Sequence, residues 1–266
     1  MLQPSRCGKT LGRERAFPDP AGGARYALPM GAREHPPADQ TAYWDRVALE
    51  KRFTHPLDPG VLERRFERGW RILDQGCGYG RLTAELVDAG YRGALGVDRS
   101  QEMIRRGRAA RPDLDLRAVG PGPLPFADGA FDAALLFSVL TCLPRRSEQE
   151  ELLSELARVV RAGGLLWTSD LLLQDDDVHR ARYSAGRERY GELGVFDHPE
   201  GVAFCHLTPE RLALLERRFP RVEYAEREVL TMNGRAARAF LHLGRRPEHP
   251  GARPAGGTIA AQEQAR

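Results

Sequence analysis

Ile72-Leu73-Asp74-Gln75-Gly76-Cys77-Gly78-Tyr79-Gly80-Arg81 is the stretch that decides the fold. Trp70–Asp74 reads as a strand and Arg81–Ala89 as a helix, joined by a turn with glycine at every second position. Gly76 and Gly78 let the backbone turn tightly and let another molecule approach without a Cβ in the way. A helix beginning near Gly80 aims its unpaired N–H groups at the same point. The next strand, Ala94–Asp98, ends about twenty residues on in a carboxylate suited to accept both hydroxyls of a ribose. A dinucleotide fingerprint would require glycine at 81, where this chain has Arg81.

Downstream, strands and helices keep alternating. Ser100 is placed to cap a helix over Gln101–Ala110, and Asp113–Val119 reads as a weaker third strand. Phe131–Val139 is apolar enough to be buried on both faces. Ser147–Val160 has apolar residues at helical spacing, with Ala162-Gly163-Gly164 as its stop, and Leu165–Leu172 is a fifth buried strand. Thr208-Pro209 opens a helix to Phe219. Arg221–Met232 and Ala236–Leu243 flank Asn233-Gly234 as an antiparallel hairpin. The pattern predicts an α/β fold: a Rossmann-like seven-stranded, mostly parallel sheet with helices on both faces and a C-terminal antiparallel hairpin.

Three regions fall outside this alternation. Residues 1–38, rich in Pro, Gly and Arg, read as a disordered basic arm, and 247–266 as a disordered tail. That leaves a domain over 39–246, with segments 39–56 and 174–207 as lids on the sheet. Thr41–Phe53 is expected to be one helix, followed by Thr54-His55-Pro56.

The chain of 266 residues has a formal net charge of +3. The arm alone supplies that excess: Arg6, Lys9, Arg13, Arg15, Arg25 and Arg33 against Glu14, Asp19 and Glu34. The remaining body is near neutral, so charge gives no support to nucleic acid as a partner. No apolar run approaches the roughly 20 residues a membrane span needs, and the first residues show no signal-peptide core. Four cysteines without CxxC spacing suit a cytoplasmic protein, and no metal site is expected. Asp175-Asp176-Asp177 reads as a turn capping the next helix.

ILDQGCGYGR, GALGVDRSQEMI, LPFADGAFDAALLFSVL and ARVVRAGGLLWTSD together make the chain resemble the class I S-adenosylmethionine (SAM)-dependent methyltransferases. The likeness is to the small-molecule branch that includes the ubiquinone- and menaquinone-type enzymes, and it implies SAM as cofactor and a small-molecule acceptor. Carried over by position, Asp74 and the backbone of Gly76, Cys77, Gly78 and Gly80 would face the methionine part of SAM. Asp98 would take the ribose hydroxyls, and Arg99 and Met103 would lie against the adenine. Many relatives have Gly-Asp-Ala-x-x-Leu-Pro-Phe after the third strand, with the Asp on the adenine amino group. This chain has Gly120-Pro121-Gly122-Pro123-Leu124-Pro125-Phe126 and lacks that Asp. Backbone near Gly122, or Asp128, would have to serve instead.

The loop after the fourth strand, from Ser138 to Cys142, would lie by the reacting methyl. Tyr43 is expected near the SAM carboxylate or methyl, His55 in the acceptor pocket, and Asp170 at the acceptor side of the fifth strand. His179, His198 and His206 in the insertion are further candidates for a base. Two rivals share these residues: an RNA or protein methyltransferase using the basic arm, and a noncatalytic SAM-binding protein.

Overall fold

A computed structural model describes residues 34–248. The expectations for the basic arm and the tail fall almost wholly outside those residues. The chain runs through α1 (Thr41–Arg46), α2 (Pro59–Arg65), β1 (Ile72–Gln75), α3 (Arg81–Asp88), β2 (Ala94–Asp98), α4 (Gln101–Ala110), β3 (Asp115–Ala118) and β4 (Phe131–Phe137). It continues through α5 (Arg146–Val159), β5 (Val160–Leu171), α6 (Asp177–Tyr190), β6 (Val195–His198), β7 (Val202–Cys205), α7 (Pro209–Arg218), β8 (Arg221–Leu230) and β9 (Ala236–Arg245).

Seven strands form one sheet in the order β3-β2-β1-β4-β5-β9-β8. β9 runs antiparallel to both β5 and β8, and the other strands are parallel. Strand order reverses between β1 and β4, so the loops leaving these neighbours part toward opposite faces and open a crevice at the carboxyl ends. One face is covered by α5 and α7, where Leu153, Leu156, Leu214, Leu215 and Phe219 pack on Leu73, Leu136 and Phe240. The other is covered by α2 and α3, whose Leu62, Leu82 and Leu86 meet Ile72, Leu135 and Trp167.

The local signals explain the elements. Ser100 accepts from the Met103 N–H at 3.1 Å, and Thr208 caps α7 with Pro209 in its first turn. Asp176 caps α6, as a turn reading of the Asp triplet requires. Three expectations need correction. The helix expected over Thr41–Phe53 stops at Arg46, and the turns beyond it give the Ala48 and Lys51 carbonyls to Arg106 of α4 at 2.6 and 2.8 Å. Ala162-Gly163-Gly164 does not end α5, which stops at Val159. These residues form a bulge inside β5, where pairing with β4 jumps from Phe131↔Val160 to Ala133↔Leu165. Residues 174–207 contain, besides α6, a separate β6–β7 hairpin that the sequence reading did not contain.

Candidate functional site

The turn after β1 is held by its backbone. Gly76 and Cys77 donate their N–H groups to the Val97 carbonyl of β2 at 2.8 and 3.0 Å. Gly76, Gly78 and Gly80 have φ of 71°, 56° and 78°, the left-handed region open to glycine. A Cβ on Gly78 would stand 2.2 Å from Phe53 Cε2, and one on Gly76 2.4 Å from Val139 Cγ2. Phe53 in turn stacks on Tyr79 with centroids 5.2 Å apart, and the Arg106 guanidinium lies 3.8 Å from the Tyr79 ring centroid.

Asp98 closes the turn. Its Oδ2 accepts from Gly78 N–H and its Oδ1 from Ser100 N–H, both at 2.8 Å. Burial pushes its carboxyl up, opposed by those two backbone donors. A carboxylate has about four acceptor sites, so each oxygen keeps a lone pair for a further donor. Asp74 is 2% exposed, accepts from the Thr83 hydroxyl at 2.7 Å, and is pushed up to about 6 by burial. Cys77 buries its sulfur with Ile104, Leu114 and Leu116, which leaves only its backbone toward the crevice.

At the other end of the crevice, Arg99 is exposed and Met103 is buried in α4. Gly122 is exposed, with φ 101° and open space where a Cβ would stand. Arg158 of α5 clamps this loop through the Phe126 and Leu124 carbonyls, at 2.7 and 3.0 Å. It also binds Asp128 at 2.9 Å. Asp128 gives one oxygen to the arginine and keeps acceptor capacity on the other.

The ends of β4 and β5 form the third part. Ser138 has φ 56°, the sole non-glycine positive φ among the described residues, and donates its N–H to the Ser169 carbonyl at 2.8 Å. Such a conformation stores strain at the end of a strand beside the crevice. His55 is 6% exposed, with Nδ1 3.3 Å from Ser169 Oγ. Burial, then the charges of Arg81 and Arg227, push its imidazole down to about 4, so it is neutral at pH 7. Arg81 also donates to the His55 carbonyl, which ties this loop to the start of α3.

Two expected site residues have other partners. Asp170 is fully buried and accepts from the N–H groups of Thr141 at 3.1 Å and Leu171 at 2.8 Å, so it holds the turn after β4. Burial pushes it up to about 7. Tyr43 donates its hydroxyl to Glu200, at the tip of the β6–β7 hairpin, where Lys51 also pairs with Glu200 at 2.8 Å. The structure thus brings His55 to Ser169 and Asp170 to the turn after β4, and places Tyr43 in a cluster with Val47, Tyr183, Phe196 and Phe204 against which Cys142 of that turn packs. Within the insertion, Tyr183 OH lies 2.6 Å from His206 Nδ1, and His179 Nδ1 lies 2.5 Å from Asp176.

Sequence reasoning missed Gln40 and gave Phe53 no partner. Gln40 bonds the Cys142 and Ala203 carbonyls and the Ala203 N–H, stitching the segment before α1 to β7 and to the turn after β4. No local signal marks such a long-range strut.

Residues 73–168, which hold the glycine turn, Asp98, the end of β4 and most of β5, match the family model of the methyltransferase domain. That segment is similar to the class I SAM-dependent methyltransferases. The chain is 32% identical over 150 residues to a demethylmenaquinone methyltransferase of Beutenbergia cavernae, covering 52% of this chain and 60% of that one. It is 32% identical over 162 residues to the 27-O-demethylrifamycin SV methyltransferase of Amycolatopsis mediterranei, 57% of each chain. It therefore spans less than two thirds of those relatives. The fold also matches the crystal structure of a SAM-dependent methyltransferase from Methanosarcina mazei. There the TM-score is 0.69 at 24% identity, over 73% of this chain and all of that one.

SAM is the cofactor of this family, and the residues fit it. The glycine turn leaves a backbone cradle that a Cβ would fill, and Asp98 is a fixed carboxylate with acceptor capacity to spare. Among the described residues no helix is long and apolar enough to cross a membrane.

Proposed function

We propose that this chain transfers the methyl group of SAM to O, N or C of a small-molecule acceptor, in the cytoplasm. The observation that carries this reading is Asp98, fixed by Gly78 and Ser100 at the mouth of the glycine turn and ready to accept two hydroxyls. When bound, SAM supplies an electrophilic methyl on a sulfonium. The backbone of Gly76, Cys77, Gly78 and Gly80 holds its amino-acid end, and Asp74 shapes the turn beneath. Met103, Arg99 and the Gly122 backbone border its base.

The acceptor binds beyond β4 and β5, between the lid segments 39–56 and 174–207. Ser138 and the turn after β4 position it, and much of the rate in such transfers comes from positioning. His55, neutral at working pH, accepts a proton from an acceptor that must lose one. Asp170 acts through the backbone of that turn, and Tyr43 acts by latching the lid to Glu200. Acceptors of the named relatives, a demethylmenaquinone and a rifamycin, support a small organic molecule.

Calorimetry on cofactor-stripped protein with S-adenosylhomocysteine tests the reading, followed by transfer of labelled methyl from SAM to a metabolite extract. Micromolar binding and a labelled small product are expected. Absence of binding would sink the proposal.

A further inference from the structure

The insertion carries a polar cluster that the glycine turn and the strand ends do not use. Tyr183 of α6 accepts the Gln174 N–H at 3.0 Å, and its oxygen lies 2.6 Å from His206 Nδ1. That ring nitrogen is the one acceptor the phenol has among the described residues, so Tyr183 donates to it and the His206 proton sits on Nε2. Burial pushes His206 down to about 3, so the ring is neutral at pH 7. Asp176, held below the usual carboxylate range by the backbone N–H and the ring of His179, is ionised and can only accept. Its Oδ2 lies 2.5 Å from His179 Nδ1, which therefore carries the proton and, in the neutral imidazole, leaves Nε2 as an acceptor.

The two imidazoles are 5.3 Å apart, and neither Nε2 has a hydrogen-bond partner among the described residues. Neither belongs to the polar atoms sealed without a partner, and the His179 side chain is 20% exposed, so the pair is open to a ligand. With about 2.8 Å to each nitrogen, one hydroxyl oxygen bridges groups about 5 Å apart. Such a hydroxyl accepts from His206 Nε2 and donates to His179 Nε2, which uses both of its capacities. The surroundings are apolar. Tyr183 and Phe196 belong to the cluster against which half-buried Cys142, of the turn after β4, and Leu173, just beyond β5, are packed. A row of rings leads from there to the glycine turn: His206 to Phe196 at 5.0 Å, Phe196 to Phe204 at 6.4 Å, Phe204 to Trp44 at 6.3 Å, and Trp44 to Phe53 at 6.2 Å. An apolar wall with a few convergent polar groups is the usual make-up of a small-molecule site.

We propose that His179 and His206 hold a hydroxyl of the acceptor, on a part of it remote from the atom that is methylated. The acceptor is then a flat, largely apolar molecule with two polar groups, one at the turn after β4 and one at the histidine pair. Tyr183 and Asp176 are positioning residues that fix the two tautomers. The assignment rests on the SAM reading above and adds no step to the transfer itself.

Calorimetry on the full chain saturated with S-adenosylhomocysteine tests this with two probes, 2,7-dihydroxynaphthalene and 2-naphthol. The wild type is expected to bind the diol about tenfold more tightly, the weight of one net hydrogen bond. That ratio should fall to about one in His179→Phe, and to about threefold in Tyr183→Phe, which frees the His206 tautomer. Nitrogen NMR of the wild-type histidines at pH 8, above the ordinary histidine range, gives an independent reading: His206 protonated at Nε2 and His179 at Nδ1. Equal affinity of the wild type for the two probes, or no binding of either, would overturn the assignment. So would a tenfold ratio kept in His179→Phe, or the opposite tautomers. Each of these leaves the cofactor reading intact, because S-adenosylhomocysteine is bound first. Its failure to bind would overturn both.

Discussion

The carboxyl ends of β1 and β2 and those of β4 and β5 lie side by side in one sheet, yet they are built by different means. The first pair is shaped by backbone: three positive-φ glycines, two N–H groups on the Val97 carbonyl, and Asp98 on Gly78 and Ser100. The second pair is shaped by side chains from distant segments. His55 reaches Ser169 across 114 positions, and Gln40 reaches Ala203 across 163. Asp170 fixes the turn after β4 from the neighbouring strand. A backbone-built half tolerates no side chain where glycine stands. A side-chain-built half can be varied residue by residue, which suits a common cofactor and changing acceptors.

The largest expected effect breaks the backbone-built half. Gly78→Ala puts a Cβ at φ 56° and 2.2 Å from Phe53 Cε2, so Phe53 must leave its stack on Tyr79. The left-handed conformation alone costs roughly 1–2 kcal/mol, and displacing the ring adds to that. We expect about 3 kcal/mol lost in urea unfolding and at least a hundredfold weaker binding of S-adenosylhomocysteine. Adding Phe53→Ala should relieve the clash and restore part of the stability, but not the binding. If the double variant binds normally, the turn is held by Phe53 and not by its own backbone.

A second test probes the side-chain-built half through pH. Burial pushes Asp170 up to about 7, against about 3.9 for a free aspartate. Between those values the folded protein holds a proton that the unfolded chain has released, so this group makes stability fall as pH rises from about 4 to 7. Asp170→Asn removes that slope but gives up one acceptor for the N–H groups of Thr141 and Leu171. The stability difference between variant and wild type should shift toward the variant by on the order of 2 kcal/mol between pH 5 and pH 8. A difference that stays flat across this range would show that Asp170 is ionised throughout and is not poised near neutrality.

The same division explains what the sequence made legible. β2, α4 with its Ser100 cap, and the Thr208-Pro209 start of α7 all follow from residues within a few positions of one another. Asp98 could be placed beside the turn because strand order and spacing fix it. The β6–β7 hairpin could not be placed, since β7 is buried at all four positions and shows no alternation. The segment just after α1 is held by Arg106, 58 positions from the Ala48 carbonyl it binds. Tyr43 carries the right chemistry for a ligand, and only the fold reveals that Glu200 takes its hydroxyl.

The smallest expected effect concerns that latch. Glu200 is held below the usual carboxylate range by Lys51, then by the Tyr43 hydroxyl, so its contribution is present above about pH 4.5 and lost as pH falls. Its side chain is 39% exposed, and solvent screening limits what the ion pair is worth. Glu200→Gln should therefore cost only about 1 kcal/mol, felt in the hairpin more than in the sheet. Hydrogen exchange should speed up about fivefold at the β6–β7 amides while those of β1 and β4 stay unchanged. Tyr43→Phe should reproduce the change in exchange, because the hydroxyl is the other half of the latch. If exchange in β4 rises as much as in β7, the hairpin and the sheet open as one unit, and the insertion is part of the body of the domain and not a lid upon it.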